Sequence, residues 1–145
     1  MIIYTTGNIL ESEAEALVNP VNCNGVMGKG LALQFKNKYP EMYKRYRKFC
    51  ITKNFAVGDL MLFNAEDGKT IICFPTKKNY WEKSKYEYIH TGLDLLKEFL
   101  AETKKSVAIP KLGCGEVGLS WDAVKNIIET ELKNIPQNIY VYEQF

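Results

Sequence analysis

The sequence predicts an α/β fold, a three-layer α/β/α sandwich around a central mixed, mostly parallel sheet. Three observations predict it. Strand-length apolar runs alternate with amphipathic, helix-length stretches over most of the 145 residues. Residues 16–20 and 107–110 are apolar nearly throughout, as central strands covered on both faces must be. Glycine-rich loops follow both runs, on the side where open α/β sheets bind their ligands.

The elements follow in order. Ile2-Ile3-Tyr4 is a short strand, and 16–21 is a strand that runs into polar residues and Gly25. Leu31 to Lys38 reads as a helix, with Leu31 and Phe35 four apart. Pro40 suits the first turn of a second helix that carries Tyr43 and Tyr46 on one face, as core or half-buried residues. Residues 60–63 and 71–74 are strands, joined through the turn signal Asp67-Gly68. Ile89, Leu93, Leu96 and Leu100 form the apolar stripe of a helix from about Tyr86 to Glu102. Val107 to Pro110 is a buried strand. Ser120 caps a helix whose stripe is Val124, Ile127, Ile128 and Leu132, and 139–142 is the last strand.

Composition excludes several classes. With 46% hydrophobic and 25% charged residues the chain is neither disordered nor fibrous. The length fits one domain with a core of its own. No apolar run reaches the roughly 20 residues of a membrane span, and the first residues do not form a secretory signal. Cys23, Cys50, Cys73 and Cys114 are widely spaced and His90 is the sole histidine, which argues against a metal site or a disulfide framework. Cys73 reads as a core residue and His90 as a surface or packing residue. A reducing, cytoplasmic setting and a monomer without membrane attachment are expected. Net charge is only +2, but its distribution is uneven. Residues 36–53 hold seven basic side chains against Glu41, and 76–85 hold four lysines against Glu82. Such segregation permits a polyanionic partner on one face, although solvated helix faces also produce it.

Two loops carry the chemistry. The first reads Asn22-Cys23-Asn24-Gly25-Val26-Met27-Gly28-Lys29-Gly30 and opens a helix. The second reads Leu112-Gly113-Cys114-Gly115-Glu116-Val117-Gly118-Leu119, between a strand and a helix. Glycines let backbone N–H groups approach a ligand, and a helix N-terminus favours negative charge. The first loop has the spacing of neither a P-loop nor a dinucleotide fingerprint, and a tight structural turn is its alternative; the second loop alone is weak evidence. Together, at the ends of neighbouring strands, they suggest a groove that holds a pyrophosphate from both sides.

Gly7-Asn8-Ile9, Val18-Asn19-Pro20-Val21-Asn22, the Gly25–Gly30 loop and Gly113-Cys114-Gly115 resemble the ordered motifs of the macrodomain family, the ADP-ribose-binding fold. The likeness runs from Ile2 to the last strand and implies a single macrodomain over residues 1–145. The stretch from Asn22 to Phe35, followed by Phe74-Pro75-Thr76-Lys77, is similar to one branch. That branch holds DarG-type DNA ADP-ribosyl glycohydrolases and the terminal ADP-ribose protein glycohydrolases.

The resemblance implies roles by position. Asn8 stands where most macrodomains carry an Asp for the adenine amino group, so the contact becomes a neutral hydrogen bond; Ile9 joins the ADP-ribose-binding set. Asn22 matches the Asn at the distal ribose, and it is counted with Lys77 as catalytic. Gly25, Val26, Met27, Gly28, Lys29 and Gly30 form the first phosphate-side loop. Gly113, Cys114, Gly115, Glu116, Val117 and Gly118 form the second, and Thr76, beside Lys77, joins the ADP-ribose-binding set. Lys77 matches the branch's catalytic lysine. Its amine attacks C1″ or the opened aldehyde, or its ammonium stabilises charge as the glycosidic bond breaks. Protein-deglycosylating relatives carry an Asp where this chain has Val117, preceded by Glu116. That departure disfavours a glutamate-linked protein substrate. No cofactor is implied.

The reading implied is an ADP-ribosyl glycohydrolase that removes ADP-ribose from modified DNA, as a DarG-like antitoxin does. Single-stranded DNA and a cognate ADP-ribosyltransferase toxin are the partners implied. DarG itself carries a further domain, so the chain is expected to be either an excised domain or a free-standing relative. The competing readings are a non-catalytic ADP-ribose-binding module and a hydrolase of protein-linked ADP-ribose, O-acetyl-ADP-ribose or ADP-ribose 1″-phosphate. The basic segments, with Tyr80 and Trp81 interleaved, are expected to flank the groove and to stack bases, unless the aromatic pair packs onto the domain.

Overall fold

A computed structural model describes residues 1–115 and 118–144. Among the described residues six strands form one sheet in the order β1-β6-β5-β2-β4-β3. They are β1 (Ile2–Thr6), β2 (Ala16–Val21), β3 (Met61–Asn64), β4 (Thr70–Pro75), β5 (Val107–Ile109) and β6 (Ile139–Gln144). The pairings of β1 with β6, β6 with β5, β5 with β2 and β2 with β4 are parallel; β3 pairs antiparallel with β4 at one edge. That hairpin is the one drawn by Asp67-Gly68, and Gly68 takes φ +91° in it.

Four α-helices among the described residues cover the sheet: α1 (Gly30–Lys38), α2 (Pro40–Ile51), α3 (Tyr86–Thr103) and α4 (Trp121–Leu132). The side chains of β2 explain the layering. Leu17 and Val21 point into a core with Leu31 and Phe35 of α1 and Met42 and Tyr46 of α2. Ala16 and Val18 point into a second core with Leu93 and Leu96 of α3 and Val124 and Ile128 of α4. A strand buried on both faces gains burial free energy from every residue, which is why 16–21 does not alternate. Asn19 is the exception. It is fully buried, its amide nitrogen meets only the sulfurs of Met27, Met42 and Cys73, and its Oδ1 has no partner among the described residues.

Local signals hold at the helix ends. Pro40 occupies the first turn of α2, where its missing N–H costs nothing. The Ser120 hydroxyl accepts a hydrogen bond from Ala123 N at 3.4 Å and caps α4. Cys73 is fully buried, Tyr46 is buried and Tyr43 is half-buried. His90 is exposed and lies 3.6 Å from Glu131. A short 3-10 turn at Ile9–Glu11 was not legible in the sequence; the Asn8 side chain caps it by accepting from Leu10 N at 3.0 Å. Among the described residues no helix is long and apolar enough to cross a membrane.

Candidate active site

The parallel strands β5, β2 and β4 lie side by side and end on one edge of the sheet. A cavity of about 790 Å³ opens there, within the range of small-molecule sites. All the expected loops reach it. After β2 it takes Lys29, Gly30 and Leu31; after β4, Thr76, Lys77 and Ser84; after β5, Lys111, Gly113, Cys114, Gly115 and Gly118. Pro20, Pro110 and Glu143 complete the wall.

The first glycine turn is shaped by Asn22. Its Nδ2 donates to Val26 O at 2.9 Å, and its Oδ1 accepts from Asn24 N at 3.0 Å and from the Tyr46 hydroxyl at 2.7 Å. The Tyr43 hydroxyl donates to Gly25 O at 3.1 Å, so α2 supports the turn from beneath. Gly25 takes φ +83°, which a residue with a side chain adopts only under strain. The second turn winds onto itself: Gly118 N donates to Gly115 O at 2.9 Å and Leu119 N to Gly113 O at 2.8 Å. A Cβ on Gly118 would lie 2.3 Å from Gly113 O, so only glycine fits.

Lys77 follows β4 and is fixed by its neighbours. Thr76 N donates to Val21 O at 2.9 Å, and Lys78 O accepts from Cys23 N at 2.9 Å. Lys77 is itself half-buried, and among the described residues it forms no salt bridge. Among the described residues that line the cavity, Lys29, Lys77 and Lys111 stand against one carboxylate, Glu143. The Trp121 indole N–H, 3.1 Å from Glu143 Oε2, holds that carboxyl below its ordinary range, and nearby Lys125 adds to the effect. Helix α1 starts inside the cavity wall at Gly30, and its unpaired N–H groups favour an anion there. Burial pushes the Cys23 thiol up to about 11 and also raises that of Cys114, so neither is a ready thiolate. Among the described residues no three His, Cys, Asp or Glu side chains cluster as metal ligands.

The expected site residues divide. Lys29, Gly30, Thr76, Lys77, Gly113, Cys114, Gly115 and Gly118 meet at the cavity; Asn8, Ile9, Asn22, Gly25, Val26, Met27 and Gly28 do not line it. Ile9 and Met27 are buried in the core, so their side chains serve packing. Asn22 spends both ends of its amide on the turn, and a contact to a ribose requires Nδ2 to leave Val26 O. Glu116 and Val117 lie outside the described residues. The basic segment 36–53 does not flank this cavity: Lys44, Arg45 and Lys48 line a separate groove with Phe49 and β3. Alternate faces of α2 account for this, since Tyr43 and Tyr46 turn toward the glycine turn. Sequence reasoning missed Ser84, Lys111 and Glu143, which reach the wall from outside any glycine motif. It also missed the bracing by Asn24, whose side chain crosses to Asn79 and Tyr80.

The Macro domain family model matches residues 18–128. A Mycobacterium tuberculosis relative named DNA ADP-ribosyl glycohydrolase is 44% identical over 140 residues, covering 94% of this chain and 40% of its own length. The structure of the macrodomain of Thermus aquaticus DarG superposes with a TM-score of 0.93 at 39% identity, covering 99% of this chain and 98% of that one. From Thermosipho africanus, a relative named DNA ADP-ribosyl transferase-DNA ADP-ribosyl glycohydrolase fusion protein is 31% identical over 155 residues, covering 94% of this chain and 40% of its own length. DarTG of that organism, solved in complex with ADP-ribose, superposes with a TM-score of 0.85 at 30% identity, covering 97% of this chain and 41% of that one. The chain thus spans about 40% of the length of the curated relatives it matches. Sheet order, glycine turns and family match agree, and the chain belongs to the macrodomain family.

Proposed function

We propose that this chain is an ADP-ribosyl glycohydrolase that binds ADP-ribose in the 790 Å³ cavity and removes it from modified DNA. The observation that carries the reading is the position of Lys77. It is the half-buried cation after β4, in the same wall as the second glycine turn and the Lys29-Gly30 end of the first. The diphosphate lies between those turns, near the N-terminus of α1, and the distal ribose lies toward Lys77. The bond broken joins C1″ to the nucleobase. The base leaves with the bonding electron pair and gains a proton, and water supplies the oxygen that ends on C1″. Lys77 acts as a fixed ammonium that stabilises the changing charge, or as a free amine that bonds to C1″ as the bond to the base breaks; the glycosylamine so formed opens to a Schiff base, which water hydrolyses to ADP-ribose and the free amine. Asn22 keeps the first turn in register.

The names of the relatives support a DNA-linked substrate, and the ADP-ribose complex of the Thermosipho africanus protein supports the ligand. The transferase fused to a relative supports a cognate ADP-ribosyltransferase as the source of the modified strand. The test is Lys77→Ala. Release of ADP-ribose from a modified oligonucleotide falls by at least ~100-fold, while calorimetry finds ADP-ribose binding within a few-fold of the parent. Full release by the variant removes Lys77 from the chemistry. Borohydride added during turnover distinguishes the two roles, because only the amine route leaves ADP-ribose covalently reduced onto Lys77.

A further inference from the structure

We infer that Tyr80 and Trp81 form a stacking platform for a nucleobase beside the modified nucleotide, so that the chain reads a single strand of DNA and not an isolated ADP-ribosyl nucleoside. The inference rests on the proposed function and adds a reader to it.

Four observations carry it: the open, mutually braced pair, the anchoring of its loop, the position of that loop and its charge. Tyr80 is 51% exposed and Trp81 69%, so the pair does not pack onto the domain. The rings meet edge to face, with centroids 4.9 Å apart and planes at 84°, and so brace each other while their outer surfaces stay open. The loop that carries them is fixed to the first glycine turn. Asn24 Nδ2 donates to Asn79 Oδ1 at 2.8 Å, Tyr80 N donates to Asn24 Oδ1 at 2.8 Å, and Glu82 N donates to Asn79 O at 3.0 Å. A platform held this way loses little entropy when a base lands on it.

Position supplies the third observation. The loop leaves the cavity wall at Lys77 and returns to it at Ser84, so it borders the cavity's rim at both ends. The proposed reaction places a nucleobase at Lys77. The strand attached to that base must leave across this rim. Charge supplies the fourth. Lys77, Lys78, Lys83 and Lys85 surround the pair against Glu82 alone, matching a phosphate backbone. Aromatic faces set among lysines are the usual means of holding single strands without reading their sequence.

The test compares two substrates: a short single-stranded oligonucleotide ADP-ribosylated on one base, and the ADP-ribosylated nucleoside released from it. Trp81→Ala raises KM for the oligonucleotide about tenfold with kcat within about twofold, and leaves both constants for the nucleoside unchanged. Trp81→Phe, which keeps a flat ring, recovers most of the loss. An unchanged KM for the oligonucleotide, or an equal loss on both substrates, overturns the inference while the glycohydrolase reading stands. If the parent chain releases nothing from either substrate, the glycohydrolase reading fails and fluorescence anisotropy with an unmodified, labelled oligonucleotide decides the platform. Salt-sensitive binding that Trp81→Ala abolishes upholds it. Absent or unaltered binding overturns it and assigns the pair to a protein partner.

Discussion

The Tyr46 hydroxyl lies 2.7 Å from Asn22 Oδ1 and 2.8 Å from Asn22 O, and so ties the middle of α2 to the root of the first glycine turn. The Tyr46 ring is fully buried against the edge of Phe55, and burial pushes its phenol far above the ordinary range. Tyr46→Phe keeps the ring and deletes only that tie. It is expected to cost about 1 kcal/mol in denaturant unfolding, because two part-buried acceptors lose the donor they share. ADP-ribose affinity falls with it, by roughly tenfold in calorimetry, since the turn loses its brace. Unchanged affinity in the variant shows that the turn holds its shape without α2.

Gly118→Ala addresses the second turn. The added methyl meets a backbone carbonyl, Gly113 O, which cannot rotate away. The turn must open, and the hydrogen bonds Gly118 N to Gly115 O and Leu119 N to Gly113 O are strained or lost. Two such bonds contribute roughly 1–3 kcal/mol. We expect a loss of ADP-ribose affinity with a smaller loss of global stability, read by calorimetry beside a thermal melt. Wild-type affinity would show that the second turn is not part of the grip.

Gly92 lies in the middle of α3, where helix propensity alone favours alanine by about 1 kcal/mol. Packing decides otherwise. A Cβ there would lie 2.2 Å from Cζ of Phe74, and Phe74 is fully buried. Overpacking a core costs typically 1–3 kcal/mol, so Gly92→Ala is destabilising on balance. Phe74 is also three residues before Lys77, so the strand end carrying the lysine shifts as well. Lower stability in urea together with slower turnover is the expected pair of results. A gain in stability shows that the ring moves aside freely.

Glu131 joins α3 to α4. Its Oε2 lies 3.1 Å from Lys97 Nζ, and its Oε1 lies 3.6 Å from His90 Nδ1. The Lys97 hydrogen bond, helped by its charge and by His90, holds the carboxyl below its ordinary value. A carboxyl lowered in the folded state stabilises fully above the unfolded value and loses that contribution as pH falls through the folded one. The group is near the surface, so Glu131→Gln costs no more than roughly 0.5 kcal/mol at neutral pH. Melting curves of parent and variant therefore differ at pH 7 and converge in acid. A difference that persists in acid assigns the effect to packing.

The fold was legible because its signals are local. Runs 16–20 and 107–110 announce buried strands, Ser120 announces α4, and Asp67-Gly68 announces the hairpin. The glycine turns were legible for the same reason, since each is a contiguous word at a strand end, whereas Lys77 stood out only through the resemblance carried by Phe74-Pro75-Thr76-Lys77. What escaped depends on contacts distant in sequence. Gly92 looks like a weak point in a helix until Phe74 is found beside it. Asn24 reads as a loop residue, yet it joins the first turn to the segment after Lys77. Ser84, Lys111 and Glu143 carry no motif and reach the cavity only through the packing of β4, β5 and β6. Asn22 kept its place in the motif but not its expected freedom, because only the structure shows both ends of its amide engaged.

Four of the residues in the cavity wall are glycines, Gly30, Gly113, Gly115 and Gly118, which have no side chain to lose. Recognition that relies on such a surface is robust to drift, because most codon changes elsewhere leave peptide groups in place. The cation that the proposed mechanism uses, Lys77, is a single codon. On that proposal one mutational step turns an eraser of the mark into a mere receptor for it, with affinity carried across intact.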